Sequence, residues 1–170
     1  MKLEKILCAL DLSQSSEKIL DYALFLTRKL DARLYLLHVV DRTSFTITQE
    51  GQSLSEGSRK ALDQVYDEYL EIARAKLDEF VTWVRERGFE DVEGVMREGN
   101  PAEEIVWFAE AEGMHLIVMG TRGWTGIQAL LLGSTAERVV KLSEKPVLVV
   151  RVEYLESEEG GREPAPEPQG

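Results

Sequence analysis

The stretch HLIVMGTRGWTGIQALLLGSTAERVVKLSEKPVLVV, residues 115–150, decides the fold. HLIVMG is a short apolar run suited to a strand covered on both faces. Glycines follow at 120, 123, 126 and 133, then STAERVVKLSE, which has the form of a short helix. KPVLVVRV closes the stretch as a further strand, with Pro146 tolerable at its entrance. Strand, glycine loop, helix and strand in that order form the repeating unit of a parallel sheet.

The rest of the chain repeats the alternation. KLEKILCAL ends in a first strand that stops at Asp11. SSEKILDYALFLTRKLDA then spaces apolar residues 19, 20, 23, 26 and 30 along one helix face, with Ser13 as a candidate cap. RLYLLHVVD reads as a second buried strand. Residues 42–57 show no clear period and are longer than a typical strand-to-helix loop, so a mobile or functional loop is expected there. Positions 62, 65, 66, 69, 73, 77, 80, 81 and 84 trace the apolar stripe of a long helix over 58–87, ended by Gly88. DVEGVMREG is a weaker strand. In NPAEEIVWFAEAEG, Asn100 suits a cap, Pro101 the first helical position, and Glu103 and Glu104 the positive helix start. The expected fold is α/β, with a parallel sheet and helices on both faces.

At 170 residues, 44% of them hydrophobic and 30% charged, the chain fits one globular domain over residues 1–152. Residues 153–170, acidic and rich in proline, have the composition of a disordered tail. A net charge of -11 repels a nucleic-acid backbone. No apolar run reaches the length of a membrane span and the N-terminus lacks a signal-peptide pattern, so a cytoplasmic protein is expected. Cys8, the one cysteine, sits in an apolar stretch that suits a buried thiol.

Ligands of open parallel sheets bind outside the carboxyl ends of the strands, which directs attention to the loops opening at Asp11, Asp41 and Gly120. A Walker A loop needs a lysine after its last glycine, but Ser134 follows Gly133 and no lysine lies between 120 and 135. The dinucleotide fingerprint belongs in the first strand-to-helix turn, and DLSQSS has no glycine. What remains is Gly120-x-x-Gly123-x9-Gly133-Ser134. Glycines there let a ligand approach the backbone, and the amides of Ser134, Thr135 and Ala136 at a helix start favour an anion. Arg122 and Arg138 are the nearest cations. Ser134-x-x-Glu137 also matches a capping box, which accounts for those two residues but not for four glycines.

This motif resembles the nucleotide-binding motif of the universal stress protein family, and the resemblance extends through ALDLS, LLHVVD, EGNPAEEI, HLIVMGTRG and STAERVVKLSEKPVLVV in order and spacing. It implies a five-stranded parallel sheet of order 3-2-1-4-5, of the Rossmann-like, adenine nucleotide alpha hydrolase-like type. It further implies a homodimer through the last strand, at 146–152, and bound ATP where the glycine motif is intact. By that resemblance Asp11 faces the nucleoside, the backbone around Val39 meets the adenine edge, Met119 and Gly120 line the ribose side, and Gly123, Gly133, Ser134 and Thr135 hold phosphates. Ala9 stands where ATP-binding members often carry proline, a departure that removes one ribose-side contact.

Each remaining candidate has a plainer reading beside it. His38 within LLHVV reads as a core imidazole rather than a base. Asp11 suits a helix cap as well as a ligand role. No zinc-ligand spacing is present, so magnesium is expected only as an ion carried in by the phosphates, with Asp11 and Asp41 as outer ligands. Trp124 packs on a helix or covers a nucleotide. Tyr66, Tyr69 and Phe80 are core, and Ser53, Ser55 and Ser58 are linker or modification sites. Without a convincing base or nucleophile pairing, binding of ATP with weak hydrolysis at most is expected. The resulting reading is a dimeric, nucleotide-responsive stress or signalling protein with a further protein partner. The alternatives are a slow ATPase or phosphotransferase, and a nucleotide-independent dimeric scaffold. A flavodoxin-like carrier is disfavoured by the glycine-free first turn.

Overall fold

The computed structural model describes residues 2–45, 55–121 and 132–151. The five strands are β1 (Lys5–Ala9), β2 (Arg33–Val40), β3 (Val92–Glu98), β4 (Leu116–Gly120) and β5 (Val147–Val150). The helices are α1 (Ser16–Leu30), α2 (Glu56–Arg85), α3 (Pro101–Ala111) and α4 (Ser134–Leu142), with a 3-10 turn at Arg42–Phe45. Every strand pair is parallel and the order is β3-β2-β1-β4-β5, as expected from the sequence.

Strand periodicity assigns the two faces. Ile6, Cys8 and Leu10 of the first strand and its exit, with Leu34 and Leu36 of β2, pack against Ile19, Leu20, Ala23 and Leu24 of α1 and Ala73, Leu77, Phe80, Val81 and Val84 of α2. Leu7 and Ala9, with Tyr35, Leu37, Ile117 and Met119, pack against Ala102, Ile105, Phe108 and Ala109 of α3 and Ala136 and Val139 of α4. Side chains such as Leu7, Leu34 and Ile117 are wholly buried, and each stabilises the fold by roughly 1.5–3 kcal/mol relative to exposure. Gly94 lets α2 lie close to β3, because a Cβ there would meet Val81 Cγ2 at 2.8 Å and Leu77 Cγ at 3.4 Å.

The long helix differs from the sequence reading at both ends. It starts at Glu56, where Ser55 Oγ accepts the Ser58 amide at 3.2 Å. It ends at Arg85, and a tighter turn runs from there to Gly88, at φ 83°. Val65 is 52% exposed and not part of the buried stripe, since it lies about 100° around the helix from Tyr66 and turns away from the sheet. Tyr66 and Phe80 are buried and Tyr69 is half-buried, in line with a core role. Within 42–57, residues 42–45 form the 3-10 turn and Glu56 opens the helix. The expected mobility of 46–54, with Ser53, falls outside the described residues, as does the tail beyond residue 151.

Asn100 caps α3 as its sequence suggests, accepting the Glu103 amide at 3.3 Å, with Pro101 opening the helix. Ser13 does not cap α1. The residue before that helix is Ser15, whose side chain makes no capping bond, while Ser13 Oγ accepts the Ser15 amide at 3.3 Å and so braces the turn.

Candidate functional site

The connection leaves β1 for β2 on one side and later returns through β4 on the other, so the strand order reverses between β1 and β4. In open parallel sheets ligands bind at such a reversal, outside the carboxyl ends of the two strands. Ala9 sits in register with Leu37 of β2 and Met119 of β4, and all three belong to the core beneath α3 and α4. Val39, two residues beyond Leu37, packs on the same face and is partly exposed. Gly120 is in register with Val150 and is also partly exposed. The fold therefore gathers Ala9, Val39 and Met119, which lie far apart in sequence, on one face near the carboxyl ends of the strands, with Gly120 next along β4.

The two ends of the glycine motif meet. The Gly133 amide donates to the Thr121 carbonyl at 2.6 Å, and the Thr121 amide donates to the Val150 carbonyl at 3.0 Å. These bonds hold the start of α4 against the exits of β4 and β5. Thr121, absent from the sequence candidates, is the hinge of this arrangement; its position directly after Gly120 was the available signal. Arg122, Gly123, Trp124 and Gly126 lie outside the described residues.

The capping box is not formed. Gly133, not Ser134, is the residue before α4, and no described side chain caps the helix. Ser134 is the first helical residue, exposed, and Thr135 the second, half-buried. Glu137 turns instead to Lys141, whose Nζ lies 2.6 Å from Oε1; this bond and the lysine's charge hold the carboxyl below its usual range. The first amides of α4 therefore have no side-chain acceptor among the described residues, and the helix dipole adds partial positive charge there. Arg138 does not serve that end, because its guanidinium pairs with Glu103 on α3.

Asp11 lies two residues beyond β1 and is partly buried. Its Oδ1 accepts the Ser13 amide at 3.0 Å and the Ser16 hydroxyl at 3.2 Å, so it anchors the start of α1, the role weighed in the sequence beside ligand binding. Asp41 makes a similar turn, with Oδ1 accepting the Thr43 amide at 2.8 Å and its hydroxyl at 2.6 Å. Among the described residues no three His, Cys, Asp or Glu side chains converge as metal ligands. His38 is buried at 5% exposure, with Nδ1 2.9 Å from the Leu10 carbonyl oxygen. Burial lowers its pKa, which keeps the ring neutral near pH 7. Burial also pushes the Cys8 thiol far up, so it is inert as a nucleophile.

At the carboxyl end of β3, the Tyr66 hydroxyl donates to Glu98 Oε2 at 2.6 Å, while the Arg42 guanidinium lies 5.1 Å from the Tyr66 ring centroid and pairs with Asp63 at 3.0 Å. Burial, then the bond and charge of Glu98, raise the Tyr66 pKa to about 12. The cluster ties the 3-10 turn and β3 to α2. Among the described residues, no helix is long and apolar enough to cross a membrane.

Comparison with known proteins agrees with this architecture. The profile of the Universal stress protein family matches residues 2–151. Universal stress protein MJ0531 of Methanocaldococcus jannaschii is 37% identical over 148 residues, covering 87% of this chain and 82% of the relative. Universal stress protein YxiE of Bacillus subtilis is 33% identical, covering 86% of this chain and 98% of the relative. The solved structure of MJ0577, from the same archaeon as MJ0531, superposes with a TM-score of 0.75 at 31% identity, over 90% of this chain and 99% of that one. With the sheet order, the family profile and these relatives in agreement, the chain belongs to the universal stress protein family.

Proposed function

We propose that the protein binds ATP at the carboxyl ends of β1, β2 and β4 and acts as a dimeric, nucleotide-responsive stress or signalling protein in the cytoplasm. The observation that carries this reading is the start of α4, a helix end without a side-chain cap among the described residues, drawn against the end of β4 by the Gly133 to Thr121 bond. In this reading the amides following Gly133, with the Ser134 and Thr135 hydroxyls, receive the phosphates. Arg122 and Gly123 extend that cradle. Met119 and Gly120 line the ribose side with Ala9, Asp11 accepts from the ribose, and the backbone around Val39 meets the adenine edge. Magnesium, where present, enters on the phosphates, since Asp41 already serves its own turn. Two proteins of this fold were solved with adenine nucleotides: a universal stress protein in complex with cAMP, and one from Archaeoglobus fulgidus in complex with dAMP.

Holding ATP is favoured over consuming it. His38 is buried, and His115 lies at the opposite end of the sheet, where it bonds the Lys5 backbone at the start of β1. Neither is placed to take a proton from water beside a phosphate. Dimerisation is proposed through 146–152, because β5 forms the edge of the sheet, with Val140 and Leu142 exposed on the preceding helix.

Thermal melting with and without Mg-ATP tests the reading, together with mass spectrometry of whatever leaves the denatured protein. A ligand at about one hundred times its Kd stabilises by roughly 2.7 kcal/mol, or about 5–10 °C in a chain of this size. An unchanged melting curve at saturating ATP, with no adenine nucleotide released, would overturn it.

A further inference from the structure

We propose that His38 is a positioning residue for the nucleoside end of the site: it fixes the Asp11 carboxylate by holding the Leu10 carbonyl. The inference rests on the nucleotide-binding reading for its functional consequence, and on the geometry of the β1 exit for its physical content.

His38 shares the face of β2 that carries Leu36, the face packed against α1 and α2, and is buried. Its Nδ1 lies 2.9 Å from the Leu10 carbonyl oxygen. A carbonyl oxygen only accepts, so Nδ1 carries the proton and the neutral ring leaves Nε2 as an acceptor. Nε2 is buried and meets no hydrogen-bond donor among the described residues. The opposite tautomer would bury an unsatisfied N–H at Nε2 and set two acceptors against each other at Leu10. The Leu10 contact therefore selects both the proton's position and the ring's orientation.

Leu10 is held twice by β2, through its amide to the Leu37 carbonyl at 2.9 Å and through its carbonyl to His38. Asp11 comes next, and Leu12 follows at φ 60°, a left-handed conformation that leucine rarely adopts. Such a backbone persists only where its surroundings restrain it from several sides. Here the restraints are the buried Leu12 side chain, the two bonds to Asp11 Oδ1 from Ser13 and Ser16, and, on the entry side, His38. Asp11 stands inside this restrained turn. A side chain on β2 thereby sets where a carboxylate after β1 is presented, with no contact between His38 and the ligand.

The discriminating pair is His38→Phe, which keeps the ring and removes the donor, and His38→Asn, whose Nδ2 can stand where Nδ1 stood. Amide NMR of the ligand-free full chain is expected to show the Ser13 amide moving away from its hydrogen-bonded position in His38→Phe and returning in His38→Asn, with the Ile117 amide unchanged in both. Histidine 15N shifts of the wild-type chain are expected to show a neutral ring protonated at Nδ1. Titration with Mg-ATP is expected to give about a tenfold weaker Kd in His38→Phe and a change under threefold in His38→Asn. A Ser13 amide indifferent to His38→Phe, equal losses in the two variants, or a ring protonated at Nε2 would each overturn the proposal. If His38→Phe fails to fold, the wild-type 15N shifts and the His38→Asn titration decide it. Should the wild-type chain bind no ATP, the nucleotide reading fails by itself, while the ligand-free Ser13 signal still decides whether His38 positions the turn.

Discussion

α3 and α4 lie on the same face of the sheet, touch the same core, and each begins just beyond the carboxyl end of a strand, yet their first turns are closed in opposite ways. At α3 the chain supplies everything. Asn100 accepts an amide, Pro101 removes one orphan donor, and Glu103 and Glu104 answer the dipole. Glu104 is itself held by Arg97 at 2.6 Å. At α4 the residue in Asn100's place is Gly133, and the nearby carboxylate of Glu137 is drawn off by Lys141. Even Arg138 is taken by Glu103 of the satisfied helix. One helix start is finished internally, and the other, among the described residues, has no side-chain acceptor, which is where the proposed function places the phosphates.

The strongest way to break this contrast is to make α4 resemble α3. Gly133 has φ -61° and ψ 152°, a conformation open to any residue, so Gly133→Asp fits the backbone and offers a carboxylate to the amides of Thr135 or Ala136. The ligand-free protein is expected to gain about 0.5–1 kcal/mol from the new cap, read as a melting temperature raised by a few degrees. Affinity for Mg-ATP, measured by calorimetry, is expected to fall by about a hundredfold or more, since the carboxylate occupies and repels the phosphate position. Stabilisation coupled to loss of binding is the signature. Undiminished affinity would mean that the phosphates do not use this helix end.

How far the sequence foretold this contrast depends on what each feature needs. β2 and β4 were legible because both are interior strands, covered on two faces and apolar nearly throughout. β3 read weakly because it is an edge strand with most of its residues half-buried or exposed. Asn100 was legible as a cap because proline follows it. The box at Ser134 misled because a local pattern cannot say which residue leaves the helix. That is settled by the Gly133 to Thr121 bond, made across a loop. Ser13 misled for a related reason, since Asp11 reaches Ser16 and takes over the turn. His38 was readable as core, but its bond to Leu10 joins two strands and has no local signature.

The converse substitution sharpens the comparison from the finished side. Asn100→Ala removes the acceptor for the Glu103 amide, at a cost of about 1 kcal/mol. A melting temperature lower by roughly 2–4 °C is expected for a chain of this size. Affinity for Mg-ATP should stay within twofold, because the Asn100 side chain spends its acceptor on the Glu103 amide of its own helix and is none of the proposed ligand contacts. A loss of affinity as large as that in Gly133→Asp would erase the distinction between the two helix starts.

The smallest expected effect concerns the third helix start, that of α1, which is finished internally by Asp11 and tethered by a buried neutral histidine. Burial lowers the His38 pKa in the folded state, so below the ordinary value of 6.5 the unfolded chain takes up a proton that the folded chain refuses. Stability contributed by the neutral ring is therefore intact above about pH 6.5 and declines as pH falls from there towards the lowered folded-state value. Other groups titrate over the same range, but they cancel when the wild-type chain is compared with His38→Asn, which has no proton to gain. Between pH 7.5 and 6.0 the wild-type advantage in urea unfolding is expected to shrink. A difference that stays constant with pH would mean that the ring protonates as readily in the fold as in water. Since an imidazolium keeps its Nδ1–H and the Leu10 bond favours the charged form, that outcome would count against the desolvation of Nε2 and would leave the tether to Leu10 in place at the α1 start.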